Sequence, residues 1–423
     1  MSRSRSRISC VTYKVQMAFT VIVAFLLFLP FSFAHTAIAQ ESTQVQNEGQ
    51  CSVANNRDYA QLVRKLIQNA NSSVCILLYQ ARFYEEHPNS MTNYFLTDLI
   101  DARKRNVDVR IVADTGDWNP QNGLKNDYLL NFIDMLTTSG CMIWEDNQSI
   151  VSHEKVILID DNLSLVSSHN WAFYSTDLNN EVSVLVDNKD FNKKLRDYFI
   201  ARADEGVPRA NVTCDSLQWE PTPGKAISDL CTNVLPLDTP PQLLDNRDFY
   251  TKLAQEILDS SKQITVVQRS LNLYDSRPRF DGQDYPEACP GEPASPTNVL
   301  TELIAAAKHR GVDTKVILDI GEGDTGGDNL SNAKKLDTMG ITVLEDSKTV
   351  QTHAKLVLID DDTVVLGSTN WTWPALETGN ETSVMLKNSV LNNTYLKYVD
   401  NTVTSGTVYT GLNDSIWRDA EFK

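Results

Sequence analysis

The chain has 423 residues, enough for two domains of ordinary size, and a formal net charge of −17 at pH 7. Proteins that bind nucleic acid without sequence preference usually carry a basic surface for phosphate contacts. The charge therefore disfavours a nucleic-acid partner, although it is compatible with a local basic groove.

The first 39 residues have the layout of a secretory signal peptide. Four basic residues and no acidic ones accompany an apolar run from Ala18 to Leu29, and the small-x-small sequence Ala37-Ile38-Ala39 follows. We therefore expect cleavage near Ala39 and a secreted or periplasmic protein. The alternative is a single N-terminal membrane anchor, because residues 17–34 approach the length that spans a bilayer.

Two long segments then repeat one order of helices and strands. Each opens on Asn-Arg-Asp and an aromatic residue, at Asn56 and Asn246, and continues as an amphipathic helix. Strands and helices alternate after it, which predicts two similar α/β domains with mainly parallel or mixed sheets, related by a pseudo-twofold axis. The predicted segments are domain 1, 52–205; a linker, 206–244; domain 2, 245–405; and a C-terminal tail, 406–423.

The second half carries an extra segment, residues 276–298, directly after its first predicted strand. Ligands usually bind beyond the carboxyl ends of the strands in such sheets. The insertion is therefore interpreted either as a lid at the rim of the site or as a surface loop.

Six cysteines follow the predicted leader, and an even number in an exported protein permits three disulfides. We predict a disulfide between Cys214 and Cys231, because both lie in the irregular linker. Cys75 and Cys141 lie in apolar, strand-like segments and are also compatible with buried thiols. No CxxC pair or histidine cluster indicates a metal site, and no cofactor is expected. The other two cysteines are Cys51 and Cys289.

The pattern His-x-Lys-x-x-x-x-Asp occurs once in each half. Residues two apart on a strand share a face, so the His and Lys of each copy can contact one phosphate. The Asp is an odd number of residues from the His, so it does not share that face, and it begins an Asp-Asp turn. It is interpreted as a turn residue that bonds local backbone, with a direct chemical role as the alternative. The two copies are His153, Lys155 and Asp160, and His353, Lys355 and Asp360.

Each copy is followed at the same distance by two small residues, a variable residue and Asn. The second Ser and the Asn of each ending are predicted to bind the phosphate. His169 is expected to face a neighbouring helix rather than the site. The predicted phosphate ligands are Ser168, Asn170, Ser368 and Asn370.

With these endings the chain resembles the phospholipase D superfamily, whose signature is His-x-Lys-x4-Asp followed by Gly-Ser-x-Asn. The second copy matches throughout, whereas the first has Ser167 where the second has Gly367. The resemblance implies that one histidine attacks phosphorus to form a phosphohistidine and the other protonates the leaving oxygen. It assigns His153 as the nucleophile and His353 as the acid and base, although the pseudo-symmetry leaves the reverse open.

The remaining candidates stabilise charge or orient the rings. Lys155 and Lys355 are expected to stabilise the developing negative charge without a metal. Glu181 follows His153, and Glu381 follows His353, at the same distance near the start of an apolar strand. Each Glu is interpreted as the orienter of the histidine of its own half, or else as an exposed strand-end carboxylate.

The resemblance implies a phosphodiesterase that hydrolyses phospholipid head groups and is also capable of transphosphatidylation to an alcohol. The alternatives are a secreted endonuclease and a binding protein with a relict site. A cardiolipin synthase-like transferase is less favoured, because those enzymes carry more membrane segments. The membrane is expected to serve only as substrate, and the chain to act as a monomer, because two motifs complete one site.

Overall fold

Two β-sheets, one in each half of the chain, organise the fold. The computed structural model describes residues 48–116, 127–213, 215–274, 295–320, 326–347 and 349–409. The predicted leader and most of the 276–298 insertion lie outside these residues, so the signal peptide and the lid remain predictions. Within the described residues, no helix has the length and apolar character needed to cross a bilayer.

The first sheet has nine strands in the order β8-β4-β3-β2-β5-β6-β7-β1-β9. Its strands are β1 (Gln50–Val53), β2 (Ser73–Leu78), β3 (Asp108–Ala113), β4 (Met142–Glu145), β5 (Lys155–Ile159), β6 (Leu163–Ser167), β7 (Ser183–Asp187), β8 (Val207–Ala210) and β9 (Leu235–Pro236). Its helices are α1 (Arg57–Asn69), α2 (Met91–Lys104), α3 (Asp127–Thr138), α4 (Lys189–Glu205) and α5 (Ile227–Leu230), with a single π-helical turn at Tyr174–Leu178.

The second sheet has eight strands in the order β10-β16-β15-β14-β11-β12-β13-β17. Its strands are β10 (Gln242–Asp245), β11 (Gln263–Gln268), β12 (Asp313–Leu318), β13 (Thr342–Asp346), β14 (Lys355–Ile359), β15 (Thr363–Gly367), β16 (Thr382–Lys387) and β17 (Thr404–Val408). Its helices are α6 (Asp248–Asp259), α7 (Pro296–His309), α8 (Gly326–Thr338) and α9 (Ser389–Tyr398), with π-helical turns at Pro374–Thr378 and Val399–Val403.

Both sheets are mixed, as predicted, but most of their strand pairs are antiparallel. Among the described strands, β2-β3-β4 and β11-β12-β13 pair in parallel, because a helix connects each strand of these groups to the next. The repeated motif supplies the antiparallel part. It forms the hairpins β5-β6 and β14-β15, which pair with the first parallel strand of each sheet.

One apolar core belongs to both halves. Alternate side chains of β2 point to opposite faces: Val74 and Ile76 face helices of their own half, whereas Cys75 and Leu77 join a cluster that contains Leu356 and other residues of the second sheet. Helices α4 and α9 also contribute to this shared cluster. The two sheets are therefore packed across one interface, and the motif strands β5 and β14 line it.

Most of the segment predicted as a linker, 206–244, is part of the first half, whereas its last residues, from Gln242, belong to β10 of the second sheet. The segment supplies β8 and β9, which pair at the two edges of the first sheet, and α5, which joins the apolar core of the first half. At the C terminus, β17 continues into the predicted tail and pairs with β13.

The four described cysteines are free thiols. Cys51, Cys75 and Cys141 are buried, and burial raises the pKa of each thiol to about 12. Cys231 is also free, so the predicted disulfide to Cys214 gains no support; Cys214 itself lies outside the described residues.

The difference between Ser167 and Gly367 has a steric cause. A Cβ at Gly367 would overlap the carbonyl oxygen of Thr382 and the Cα of Ser383 on β16. We expect Gly367→Ser to lower the free energy of unfolding by about 1–3 kcal/mol, because the strands must separate to admit the side chain. Denaturant unfolding measures this.

The matched control is Ser167→Gly, for which we expect a loss of no more than about 1 kcal/mol from added backbone freedom. Equal stability of Gly367→Ser and the wild type would show that β15 and β16 are not as close as described.

Candidate active site

The backbone of each motif binds to the opposite half. His153 N–H donates to the carbonyl of Asn380 at 2.9 Å, and His353 N–H donates to the carbonyl of Asn180 at 2.9 Å. Ser152 and Asn380, like Asn180 and Thr352, form short parallel bridges. Each histidine is therefore held beside the segment that precedes the glutamate of the other half.

As a result, the histidine of each half contacts the glutamate of the other half. Nδ1 of His153 lies 3.1 Å from both carboxylate oxygens of Glu381, and Nδ1 of His353 lies 2.9 Å from Oε2 of Glu181. The prediction that each Glu orients the histidine of its own half is therefore wrong. The spacing in the sequence identified the two glutamates but not which histidine each one contacts. Pairing within a half and pairing between halves are equally symmetric, so the spacing cannot distinguish them.

The rings are held with Nε2 available for chemistry. Nδ1 of His153 faces two acceptors, the Glu381 carboxylate and the carbonyl of Ser368 at 3.1 Å, so we assign its ring proton to Nδ1. Nδ1 of His353 likewise faces a carboxylate. A neutral ring with the proton on Nδ1 has its lone pair on Nε2, which is the nitrogen that can attack or accept a proton.

Two asparagines that begin the repeated Asn-Arg-Asp sequence clamp the glutamates. Asn56 Oδ1 accepts from the Glu181 N–H at 2.8 Å, and Asn246 Oδ1 accepts from the Glu381 N–H at 2.9 Å. Both asparagines have positive φ, a conformation that asparagine tolerates better than most residues. From the sequence, this repeat was interpreted only as the start of a helix. Its recurrence in both halves was the signal that could have indicated a role at the site.

Ser168 and Ser368 do not have the predicted phosphate-binding geometry. Both are fully buried, and their hydroxyls donate to Glu181 and Glu381, respectively. Each also accepts the backbone N–H of the residue after its glutamate at 3.0 Å. These serines therefore fix the carboxylates that orient the rings.

The two asparagines of the motif endings remain candidate phosphate ligands. The buried Oδ1 atoms of Asn170 and Asn370 have no hydrogen-bond partner among the described residues. Oδ1 accepts hydrogen bonds and an ionised phosphodiester has no donor, so Nδ2 of each side chain is the group that would bind the phosphate. Because the same atom lacks a partner in both halves, a shared role of the two asparagines at the site is favoured over coincidence.

The two lysines supply buried positive charge. Nζ of each donates to the carbonyl of its own histidine, at 2.6 Å for Lys355 and His353. Burial lowers the pKa of Lys155 to about 7 and that of Lys355 well below its usual value. A bound phosphate would counter this effect, because an anion favours the charged form of an ammonium group.

Both imidazoles are neutral in the free site at pH 7. Burial lowers the pKa of His153 to about 4, against the opposing charge of Glu381. Burial, followed by the charges of Lys355 and Arg269, lowers the pKa of His353 well below its usual value. Each ring can therefore attack an electrophile or accept a proton in the free site, and the ring that acts as the acid must gain its proton when substrate binds.

Asp160 and Asp360 accept hydrogen bonds from the backbone of a neighbouring strand, which favours the turn role over the direct chemical role. Asp160 accepts the N–H groups of Ser72 and Ser73 at 2.7 and 3.0 Å, at the start of the neighbouring strand β2. Asp360 makes the equivalent bonds at the start of β11. Both aspartates have positive φ at the turn of the motif hairpin.

His169 faces the neighbouring helix α1, as expected. Its ring stacks on Tyr59 of α1 with centroids 3.9 Å apart, and its Nε2 lies 3.1 Å from the carbonyl of Asn56.

The halves differ at the residue that follows the first parallel strand, where Tyr79 corresponds to Arg269. The Tyr79 ring lies 4.5 Å from that of His153, with Lys155 Nζ 4.4 Å from its centroid. The buried Nε of Arg269 has no hydrogen-bond partner among the described residues. Sequence reasoning missed both residues, since neither belongs to a repeated motif.

No group of three or more histidine, cysteine or carboxylate side chains suited to a metal ion occurs within the described ranges. The positive charges next to the histidines are those of Lys155, Lys355 and Arg269. With two imidazoles, these charges and two amides, the site can bind a phosphodiester, attack its phosphorus and protonate a leaving oxygen.

Two segments of the chain, residues 63–203 and 293–403, match the family model described as the PLD-like domain of cardiolipin synthase. The matched segments cover more than half of the chain and include both motifs. The chain therefore belongs to the phospholipase D superfamily, a family of phospholipid-modifying enzymes.

The curated relatives are similar over short stretches. The chain is 33% identical to minor cardiolipin synthase ClsB of Bacillus subtilis (strain 168) over 97 residues, 23% of each chain. It is 39% identical to cardiolipin synthase A of Wigglesworthia glossinidia brevipalpis over 66 residues, 16% of this chain and 13% of that protein. These matches span less than a quarter of the relatives' length.

Among solved structures, phosphatidylserine synthase from Haemophilus influenzae Rd KW20 superposes with a TM-score of 0.59 and 12% identity. The match covers 85% of this chain and 87% of that one. At this identity the likeness concerns the fold alone.

The crossed pairing can be tested by ring-nitrogen NMR. We expect Glu381→Gln to shift the Nδ1 signal of His153, and Glu181→Gln to shift that of His353, because each substitution removes the charge at that nitrogen. Each should also lower kcat by about 10²- to 10⁴-fold. Shifts confined to the histidine of the same half would contradict the crossed arrangement.

A second prediction concerns the motif aspartates. Asp360→Ala should lower the free energy of unfolding by about 1–3 kcal/mol, because it leaves backbone N–H groups without their acceptor. Although desolvation opposes it, hydrogen bonding from Lys262 and its neighbours lowers the pKa of Asp360 in the folded chain. Its contribution is therefore complete above about pH 4 and is lost as the pH falls through the lowered pKa.

The matched control is Asp361→Ala, which removes only an exposed ion pair with Lys262 and should cost about 0–1 kcal/mol. Denaturant unfolding at several pH values measures both variants. A large loss of kcat in fully folded Asp360→Ala would restore a chemical role for the aspartate.

Proposed function

We propose that this protein transfers the phosphatidyl group of a phospholipid through a covalent phosphohistidine, with water as the principal acceptor. The observation that carries the proposal is the pair of crossed histidine–glutamate contacts. They place two oriented imidazoles and two lysines from different halves around one position. A phosphodiester needs such an arrangement, because its attack and its leaving-group protonation occur on opposite sides of phosphorus.

In the proposed first step, Nε2 of His153 attacks phosphorus and the bond to the head-group oxygen breaks. A proton on Nε2 of His353 goes to that oxygen, so the head group leaves as an alcohol. In the second step His353 takes a proton from the acceptor, whose oxygen attacks phosphorus and breaks the bond to His153. With water the product is phosphatidic acid; with an alcohol it is a new phosphodiester.

The electrostatics of the free site support this order of events. A neutral His153 is the form that can attack, and its pKa of about 4 keeps it neutral at pH 7. The acid must acquire a proton, and the negative substrate raises the pKa of His353 by adding an opposite charge. Activity should therefore fall as the pH drops towards the pKa of the nucleophile.

The names of the relatives favour an alcohol as a second acceptor of the phosphatidyl group. The family model and both curated relatives are cardiolipin synthases by name, that is, enzymes of transfer rather than hydrolysis. The expectation against such a transferase, based on the number of membrane segments, therefore loses force. We accordingly propose transfer to an alcohol as the alternative outcome of the same intermediate.

The net charge supports a lipid rather than a nucleic-acid substrate, because a strongly acidic chain repels a polyanion over long distances. The N-terminal signal pattern supports a place outside the cytoplasm, where the outer surface of a bilayer is accessible. We propose both as parts of the same function.

The two-histidine mechanism can be tested with a choline phospholipid in detergent micelles. We expect His153→Ala and His353→Ala each to lower kcat by at least about 10³-fold, because each removes one step of proton or phosphoryl transfer. The released head group and phosphatidic acid are measured, with added glycerol to detect transfer. His309→Ala, which removes an exposed imidazole in the last turn of α7, is the control for an unrelated histidine substitution.

Full activity in either site variant would contradict the mechanism. Activity on DNA together with inactivity on every phospholipid would replace the lipid proposal with a nuclease. A ³²P label that survives alkali on His153 identifies the nucleophile, and a label on His353 would reverse the assignment.

A further inference from the structure

Four large exposed apolar side chains lie together in the first half. Tyr128 is 53% exposed, Phe173 43%, Tyr174 66% and Leu178 43%. Three of them lie within residues 173–178, which begin three residues after the site residue Asn170. We call these four residues the aromatic rim.

The rim forms one continuous surface through Arg82 and Tyr84. The Arg82 guanidinium lies 3.7 Å from the centroid of the Tyr128 ring and 4.7 Å from that of Tyr84. The Tyr84 hydroxyl accepts the Phe173 N–H at 3.0 Å. Two cavities of about 570 and 620 Å³ are lined by Arg82 and Tyr84; the first is also lined by Phe173 and Tyr174 and the second by Tyr128.

The rim is rigidly attached to the catalytic residues. Arg57 donates to the carbonyls of Asp177 and Asn179 at 2.8 and 2.9 Å, which fixes the π-helical turn. Within that turn, Ser175 accepts the Asn170 N–H at 2.8 Å and donates to Glu181. Phe173, Tyr174 and Leu178 thus lie on the same short segment that positions the carboxylate of Glu181.

The described residues of the second half repeat this surface only in part, because the half-buried Trp373 corresponds to Phe173 and its N–H donates to the Tyr274 hydroxyl. In the corresponding turn, Pro374 and Thr378 stand where the first half has Tyr174 and Leu178. The turn itself is repeated, and Arg247 holds it as Arg57 does. Among the described residues, the exposed side chains of Tyr174 and Leu178 therefore belong to the first half and are not required by the repeated turn.

We propose that the aromatic rim docks the enzyme on the surface of a zwitterionic phospholipid bilayer, with the first-half side of the active site facing the lipid. Tyrosine and phenylalanine favour the membrane interface, where the ring is buried and a hydroxyl stays hydrated. The net charge of −17 and the exposed Glu85 and Glu86 beside the rim oppose an anionic bilayer. This inference rests on the proposed lipid substrate.

The docking surface can be tested by sedimentation of the full chain with sucrose-loaded phosphatidylcholine vesicles. We expect the double variant Phe173→Ser, Tyr174→Ser to bind at least tenfold more weakly than the wild type. The matched control is Val390→Ser on α9, which removes an equally exposed side chain, 54%, far from the rim in sequence. It should bind as the wild type does. Vesicles that also contain phosphatidylglycerol should bind the wild type more weakly.

Turnover separates this proposal from the proposed function. On a water-soluble phosphodiester, bis(p-nitrophenyl) phosphate, the double variant should retain wild-type kcat/KM, whereas on phosphatidylcholine vesicles it should lose at least tenfold. Equal vesicle binding by wild type and double variant would overturn the docking proposal even if phospholipid is cleaved. Rim-dependent vesicle binding without cleavage of any phospholipid would support docking and reject the proposed reaction.

Discussion

The active site depends on the exchange of backbone hydrogen bonds between the two halves. The His153 N–H donates to the carbonyl of Asn380, just before β16, and the His353 N–H donates to the carbonyl of Asn180, just before β7. These contacts place each imidazole against the carboxylate of the other half, and the shared apolar core holds the sheets in that register. Neither half can orient its own histidine. The duplication therefore supplies one composite site, whose integrity is inseparable from the packing of the two sheets.

Sequence periodicity predicted most of the local structure, because a buried strand or an amphipathic helix is determined by neighbouring residues. It also identified the histidines, the lysines and both glutamates, and the turn role of the aspartates. The crossed pairing could not be predicted from the sequence. His153 lies 28 residues from Glu181 and 228 residues from Glu381, and two matched motifs are equally compatible with either pair. The serines were misassigned for a similar reason: a hydroxyl beside a catalytic motif can face the phosphate or a carboxylate, and only packing decides.

The symmetry of the scaffold is broken around the site. Tyr79 in the first half faces His153, whereas Arg269 in the second adds a positive charge near His353. Ser175 gives Glu181 a second hydroxyl donor, and the corresponding residue in the other half is Ala375. Such differences change the basicity of the two imidazoles without changing the fold. In the proposed reaction, these differences are the physical means by which the two halves perform different steps.

The central claim, that both histidines serve one composite site, is tested most directly by a crystal structure of the full chain with bound vanadate. We predict a single vanadate between Nε2 of His153 and Nε2 of His353, with Nδ1 of each ring on the glutamate of the opposite half. Two separate vanadate ions, one in each half, or histidine–glutamate pairs confined to their own halves, would contradict the account.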